Sequence, residues 1–129
     1  MLRQSTRAVT RLYDEALRPV DLRITQYTVL EYIGALDEAR VRDLGKALGL
    51  EETTLTRSLA TLESRGWVQS RPGEDRRERL VSLTTAGKHL LAKARPLWES
   101  AQARMREHLP KAAWDQLFRG LARVAEAAA

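Results

Sequence analysis

Hydrophobic residues recur at helical spacing along most of the chain, and this pattern predicts a mainly helical protein. A first amphipathic helix is expected to end near Pro19, a second to cover residues 24–36, and a short third one to cover residues 42–48. Polar residues 37–40 predict a turn between the second and third helices. Gly49 follows the third helix and marks its end, because glycine readily adopts the positive φ angle found there.

The next predicted helix, over residues 52–65, has two faces of different character. Leu55, Leu59 and Leu62 are spaced so that they share one apolar face. The opposite face is small and polar with a single long cation, and it consists of Thr53, Arg57, Ala60, Thr61 and Ser64. The major groove of B-DNA admits one such helix with its free face against the bases. An ordinary exposed surface helix is the alternative explanation.

A change to strand-like alternation predicts a β-hairpin, or wing, over residues 67–84. Val81 and Leu83 fall on the same side of its second strand. Thr84 is placed to cap a long helix that runs from about residue 85 towards residue 107, because a threonine hydroxyl can accept a free amide of the first turn. Pro96 lies inside this long helix and is expected to kink or split it.

The helices at both ends of the chain carry further apolar stripes. Three long stripes exceed what one small domain can cover, so we interpret residues 1–20 and 96–129 as dimerisation helices. Closure of a monomer core is the alternative. The stripes are Val9, Leu12, Tyr13, Ala16 and Leu17, then Leu97, Trp98, Ala101 and Met105, and after Pro110 the residues Trp114, Leu117, Phe118, Leu121 and Val124.

The charge balance permits a polyanionic partner without proving one. The 129 residues include 22 Lys and Arg against 17 Asp and Glu, which gives a net charge of +5 and a pI of about 10.1. Residues 40–79 contain nine basic and seven acidic side chains, an excess of only two. DNA binding must therefore depend on where particular arginines point and not on bulk charge.

The tip of the predicted wing carries the second candidate DNA contact. Asp75 precedes Arg77 by two residues, so its carboxylate can orient the guanidinium by a charge-assisted bond. An arginine held in this way can enter the narrow, electronegative minor groove. A solvated loop of mixed charge is the alternative. The arginines of the wing are Arg71, Arg76, Arg77 and Arg79, interleaved with Glu74, Asp75 and Glu78.

Composition and motifs exclude other classes of function. The chain has no cysteine, which excludes disulfides and thiolate chemistry and agrees with a cytoplasmic location. No apolar run approaches the ~20 residues of a membrane helix. His89 and His108 are too far apart for a typical metal site. The sequence shows no phosphate-binding loop and no nucleophile elbow, so we expect neither an enzyme nor a cofactor.

Two segments together carry a family pattern. The first runs from Leu44-Gly45-x-Ala47-Leu48-Gly49-Leu50 to Leu62-Glu63-x-Arg65-Gly66-Trp67-Val68, and the second is Asp75-Arg76-Arg77-x-x-x-Val81-x-Leu83-Thr84-x-x-Gly87. Both resemble the MarR family of multiple antibiotic resistance regulators, and the second segment is the more specific. The resemblance covers about residues 24–90 by motif and the remainder by helix order only.

The resemblance implies a single winged helix-turn-helix domain over residues 1–129, mainly α with a small β-hairpin, whose DNA-binding core is about 24–90. It implies a homodimer that binds double-stranded DNA at pseudo-palindromic operators, and in many members a small aromatic or anionic effector that releases the DNA, as in a repressor. By position, Thr53, Thr54, Thr56 and Arg57 face the major groove, with Thr61 on the same helix. Arg77 enters the minor groove, and Asp75 is its positioning partner. Glu51 departs from the Ser, Asp or Asn that often caps this helix in relatives.

The sequence leaves the effector pocket and two other functions open. Tyr13, Tyr27, Tyr32, Trp67 and Trp98 are candidates to line a pocket, although core packing is the alternative for each. A winged helix can also serve as a protein–protein adaptor without specific DNA binding. A ligand-binding helical protein that has lost DNA binding is the third hypothesis. The wing arginines favour the DNA-binding regulator over both.

Overall fold

The structure, a computed structural model, describes residues 2–75, 77–108, 111–112 and 115–116, with side chains from Arg7 onward. Five helices and three short strands follow one another along the described residues. The helices are α1 (Leu2–Ala16), α2 (Ile24–Leu36), α3 (Val41–Leu48), α4 (Glu52–Ser64) and α5 (Thr85–His108), and a single 3-10 turn at Arg18–Val20 joins α1 to α2. The strands are β1 (Glu38–Arg40), β2 (Val68–Pro72) and β3 (Arg79–Leu83).

The predicted turn at residues 37–40 is wrong, because residues 38–40 form β1. This strand pairs antiparallel with β3, which also pairs with β2, so the sheet order is β1–β3–β2. Ala39 is buried between two exposed charged residues, which is the strand alternation. The sequence signal is weak since three residues give only one alternation. Asp37, with a φ of 60°, ends α2 and redirects the chain into the strand.

The apolar face of α4 lies in the core, as its spacing predicts. Leu55 and Leu62 are almost fully buried, and Leu59 is 7% exposed. They belong to one cluster with Leu30 and Ile33 of α2 and with residues from α3, the sheet and α5. Truncation of such a leucine to alanine typically costs about 2–5 kcal/mol. Because the leucine face of α4 is buried, the opposite, polar face points outward.

Two predicted helix ends are confirmed. Gly49 follows α3 with a φ of 65°, and its N–H is bonded to the last turn. The hydroxyl of Thr84 accepts the Gly87 N–H at 3.0 Å and donates to the Gly66 carbonyl at 2.6 Å. Thr84 therefore caps α5 and also ties it to the start of the wing. Glu51 precedes α4 without a capping side-chain bond, as expected of glutamate.

The long helix α5 is continuous through Pro96, so the expected split does not occur. Proline removes the amide that would bond to the carbonyl of residue 92, and Ala92 is exposed, so water can solvate that carbonyl. The N-terminal helix α1 packs on α5 within the chain, where the Tyr13 hydroxyl donates to Gln102 at 2.6 Å. The predicted stripe after Pro110, from Trp114 to Val124, lies outside the described residues.

Replacing Gly87 with alanine is expected to destabilise the fold by about 3 kcal/mol. The added Cβ would overlap the backbone carbonyl of Trp67, and backbone cannot rotate away as a side chain can. Urea unfolding followed by circular dichroism measures the loss. Lys88→Ala at the exposed neighbouring position is the matched control and should stay within about 0.5 kcal/mol of the wild type. Equal unfolding midpoints for the two variants would contradict this close approach.

Candidate nucleic-acid interface

The outward face of α4 is exposed along its length. The predicted contact residues Thr53, Thr54, Thr56, Arg57 and Thr61 are all exposed. The Thr61 hydroxyl donates to the Arg57 carbonyl at 3.2 Å, so it is already engaged within the helix. Among the described residues, nothing is bonded to the Arg57 guanidinium. This side of α4 therefore offers three threonines near its first turn and one long, free cation.

A groove of about 1010 Å³ lies between the helices α3 and α4 on one side and the wing on the other. Thr56 belongs to its helical wall, and Arg77 belongs to its wing wall. The charged residues lining the groove are Arg40, Arg42, Lys46, Arg77 and Arg79 against Asp43, Glu52, Asp75 and Glu78. The near balance agrees with the sequence argument that individual cations matter more than net charge.

The predicted bond between Asp75 and the Arg77 guanidinium is not found, because Asp75 is bonded to the backbone of Arg77 instead. The Asp75 carboxylate accepts the backbone N–H of Arg77 at 3.3 Å, and the Asp75 carbonyl accepts the Glu78 N–H at 2.9 Å. Asp75 thus shapes the turn, as short acidic side chains commonly do, and Arg77 remains exposed with no ion pair to the rest of the described chain. Arg76 lies outside the described residues.

Arg71, a predicted DNA contact, is held by an acid that the sequence reasoning missed. Its Nε and Nη2 donate to the two carboxylate oxygens of Glu38 at 2.8 and 2.6 Å. The hydrogen bond from Arg71 lowers the pKa of the Glu38 carboxyl, despite some desolvation. The pair therefore adds stability above the ordinary pKa of glutamate, and this stability is lost as the pH falls through the lowered value.

Arg79, another predicted DNA contact, is hydrogen-bonded to Ser70 and lies near a carboxylate of α4. Its Nη2 lies 3.1 Å from the Ser70 hydroxyl and 3.9 Å from Glu63 of α4. The Ser70 hydroxyl donates to Glu63 at 3.0 Å. Near the wing tip, Arg40 pairs with Glu78 at 3.4 Å. No sequence signal links these residues, because each pair joins different elements across the fold.

The end of α4 is tied to the connection between α1 and α2 by Arg65. Its guanidinium donates to the Asp21 carbonyl at 2.7 Å, pairs with the Asp21 carboxylate at 3.2 Å, and lies 5.0 Å from the centre of the Trp67 ring. Asp21 has a φ of 55°, which is uncommon for a residue other than glycine. The sequence reasoning missed this contact since Asp21 and Arg65 are 44 residues apart.

The five aromatic candidates for an effector pocket do not come together around one cavity. Tyr13 and Tyr27 are buried, and Tyr27 stacks on Trp98 with ring centres 5.8 Å apart. Burial and the acceptor Glu31 raise the pKa of Tyr27, whose hydroxyl donates to that carboxylate at 3.0 Å. Tyr32 is 41% exposed, and Trp67 lies beside Arg65. Packing accounts for Tyr13, Tyr27 and Trp98, and the pocket stays a prediction.

The described part of the chain offers neither a membrane-spanning helix nor a cluster of metal ligands. No helix there is both long and apolar enough to cross a membrane. The same residues include no group of three or more His, Cys, Asp and Glu side chains arranged to hold a metal ion. The exposed face of α4 and the wing thus stand as the candidate site.

Sequence comparison identifies relatives among transcriptional regulators. The model of the MarR family matches residues 22–78. An uncharacterized HTH-type transcriptional regulator, YwoH of Bacillus subtilis, is 37% identical over 83 residues, which are 64% of this chain and 61% of YwoH. The HTH-type transcriptional regulator SarZ of Staphylococcus saprophyticus is 34% identical over 87 residues, 67% of this chain and 60% of SarZ. The match thus spans about three fifths of the length of these curated relatives.

Structure comparison extends the similarity to almost the whole chain. The M. tuberculosis transcriptional regulator MOSR, solved in complex with DNA, superposes with a TM-score of 0.89 at 35% identity over 98% of this chain and 92% of that one. A mutant MarR from E. coli complexed with operator DNA gives a TM-score of 0.85 at 29% identity over 95% and 89%. The fold is the winged helix of these proteins, and the chain belongs to the MarR family.

Proposed function

We propose that this protein is a DNA-binding transcriptional regulator in which α4 is the recognition helix. The observation that carries the proposal is the groove between α4 and the wing, where Thr56 lies on the helical wall and Arg77, without an ion pair among the described residues, lies on the wing wall. The exposed Thr53 and Arg57 are on the same helix. A duplex in this groove meets α4 in its major groove and the wing tip in the adjacent minor groove. The similar proteins solved in complex with DNA support DNA binding by this fold.

The superpositions favour a conformation suited to DNA. The mutant E. coli MarR gives a TM-score of 0.85 when it is complexed with operator DNA and 0.74 in its structure without DNA. The present chain is therefore more similar to the DNA-bound arrangement of that relative.

The residues of the site divide into contacts with phosphates and contacts with bases. Thr53, Thr54 and Thr56 are exposed near the start of α4, where hydroxyl groups and the helix dipole favour phosphate oxygens. Arg57 is one turn further, and its planar fork matches the O6 and N7 acceptors of guanine. Arg77 supplies a cation to the minor groove. We assign sequence preference mainly to Arg57 and affinity mainly to Arg77.

We further propose that two copies bind one operator. Half-buried apolar residues remain on the outer helices, among them Leu12 of α1 and Leu97 and Met105 of α5. A second copy packed on these residues would bury them and set two recognition helices about 34 Å apart, one turn of DNA. The operator would then be pseudo-palindromic. We expect the protein to act in the cytoplasm as a repressor that a small effector releases from DNA. We expect no enzymatic activity.

Selection from random duplexes tests DNA binding, symmetry and spacing together. The wild-type protein is expected to enrich a two-fold symmetric site whose half-sites are separated by about ten base pairs. Titration of that site against a random duplex then measures specificity. Failure to enrich any sequence, even at low salt where nonspecific binding is strongest, would reject the proposed function.

Arg57→Ala is expected to relax sequence preference. Loss of a bidentate arginine contact typically removes about 1–3 kcal/mol of discrimination, so the operator should lose about tenfold to hundredfold in affinity while random duplexes lose little. Fluorescence anisotropy with both duplexes measures the ratio. Arg104→Ala, an exposed arginine near the end of α5, is the matched control and should leave the ratio unchanged. An unaltered ratio for Arg57→Ala would remove Arg57 from base readout.

Arg77→Ala is expected to weaken binding to operator and random duplexes alike. Removal of one cation from the DNA surface should reduce the slope of log affinity against log salt by about one. Titrations at several salt concentrations give the slope, with the exposed Lys93→Ala on α5 as control. If Arg77→Ala keeps the wild-type slope, the wing arginine does not bind DNA as proposed.

A further inference from the structure

The surface around the wing contains two carboxylates that each lie against an arginine of the wing. Glu38 of β1 binds Arg71 of β2 through two hydrogen bonds, and Glu63 of α4 binds Ser70 and pairs with Arg79. Acidic residues at this surface oppose the approach of phosphate, so their presence calls for a physical explanation. Their contacts supply one, because both join the wing to the helix-turn-helix.

The Glu63 contacts connect the last turn of α4 to both strands of the wing. Ser70 lies on β2 and Arg79 on β3, and the two side chains are also bonded to each other at 3.1 Å. A gap of about 100 Å³ lies between α4 and the sheet at this point, lined by residues that include Leu59, Ala60 and Glu63. Leu59 and Val81 pack in the core beneath this gap, and the contacts among Glu63, Ser70 and Arg79 join α4 to the wing at its edge.

The Glu38 contact connects the two outer strands across the central one. Glu38 is in register with Ser82 of β3, and Arg71 is in register with Leu80, so the ion pair crosses β3 diagonally on the exposed side of the sheet. A two-bond fork fixes direction as well as distance. The next residue after β1 begins α3, so the pair ties β2 to the helix-turn-helix from the side opposite Glu63.

We propose that Glu38 and Glu63 are positioning residues that fix the wing relative to α4, with Arg71 and Arg79 as their partners and not as phosphate contacts. The inference rests on the proposed function and deepens it. Reading two adjacent grooves at once requires a fixed separation between Arg57 and Arg77, and a displacement of about 1 Å at such a site is costly. The rival explanation is that both arginines leave their carboxylates and bind phosphate.

The two explanations predict opposite changes in operator affinity when Glu63 is replaced. Glu63→Ala frees Arg79 and removes a negative charge, so simple electrostatics predicts tighter binding to every duplex. The positioning role instead predicts about tenfold weaker binding to the selected operator, with affinity for random duplex unchanged or raised. Glu52→Ala is the matched control, because Glu52 lies on the same helix and lines the groove with no ion pair in the described chain. It should bind operator and random duplex somewhat more tightly, with their ratio unchanged.

Anisotropy titrations of both variants against both duplexes separate the outcomes. A fall in the operator-to-random ratio for Glu63→Ala alone supports the positioning role. Tighter operator binding by Glu63→Ala, in parallel with Glu52→Ala, overturns it. Equal affinity of the wild-type protein for operator and random duplexes would instead reject the proposed function itself, before any variant is compared. Thermal unfolding of each variant reports whether the fold is intact.

A charge exchange tests the Glu38–Arg71 pair without altering the net charge. Arg71→Glu places two carboxylates together and is expected to reduce operator affinity at least tenfold. The double variant Glu38→Arg/Arg71→Glu restores an ion pair in reversed order, and a positioning role predicts recovery to within about threefold of the wild type. If the double variant binds as weakly as Arg71→Glu, Arg71 contacts DNA directly and the positioning role is wrong.

Discussion

Burial of three leucines on one side of α4 is the constraint on which the remaining structure depends. Leu55, Leu59 and Leu62 belong to the single core cluster, and α4 packs on α3 and β2. At 3.6 residues per turn, their burial fixes where every other side chain of the helix points. The polar face of α4 therefore points outward because the leucines on the other side of the helix are buried. The candidate DNA contacts on this face are therefore oriented by packing of the core and need no further contacts to position them.

The features that the sequence predicts correctly are those that depend on residues close together in the chain. The helices, the apolar face of α4, the Gly49 end and the Thr84 cap follow from spacing and from side-chain chemistry within a few residues. The strand β1 is too short to show a period, so residues 37–40 resemble a turn until β3 is in place beside them. The helix α5 continues through Pro96, and Ala92, whose carbonyl loses its amide partner, is an exposed residue.

The site was predicted less completely than the fold for a related reason. Exposure of the α4 threonines and of Arg57 follows from helical periodicity alone. The partners of Arg71 and Arg79 do not, since Glu38 and Glu63 meet them only after the sheet has formed. The sequence singles out Arg77 among the four arginines of the wing but does not show which of the others are held by carboxylates. In the structure Arg71 is hydrogen-bonded to Glu38 and Arg79 to Ser70 beside Glu63, whereas Arg77 makes no ion pair among the described residues. These partners come together only when the sheet has formed.

The close approach of Gly87 to Trp67 has a mechanical consequence. The backbone of Trp67 touches the first turn of α5, its carbonyl accepts the Thr84 N–H, and its ring lies beside Arg65. Trp67 therefore packs closely against three elements: the end of α4, the start of the wing and the start of α5. A tilt of α5 at its base would therefore displace the start of the wing, because the contact between Gly87 and the Trp67 backbone leaves no room for the two to move independently.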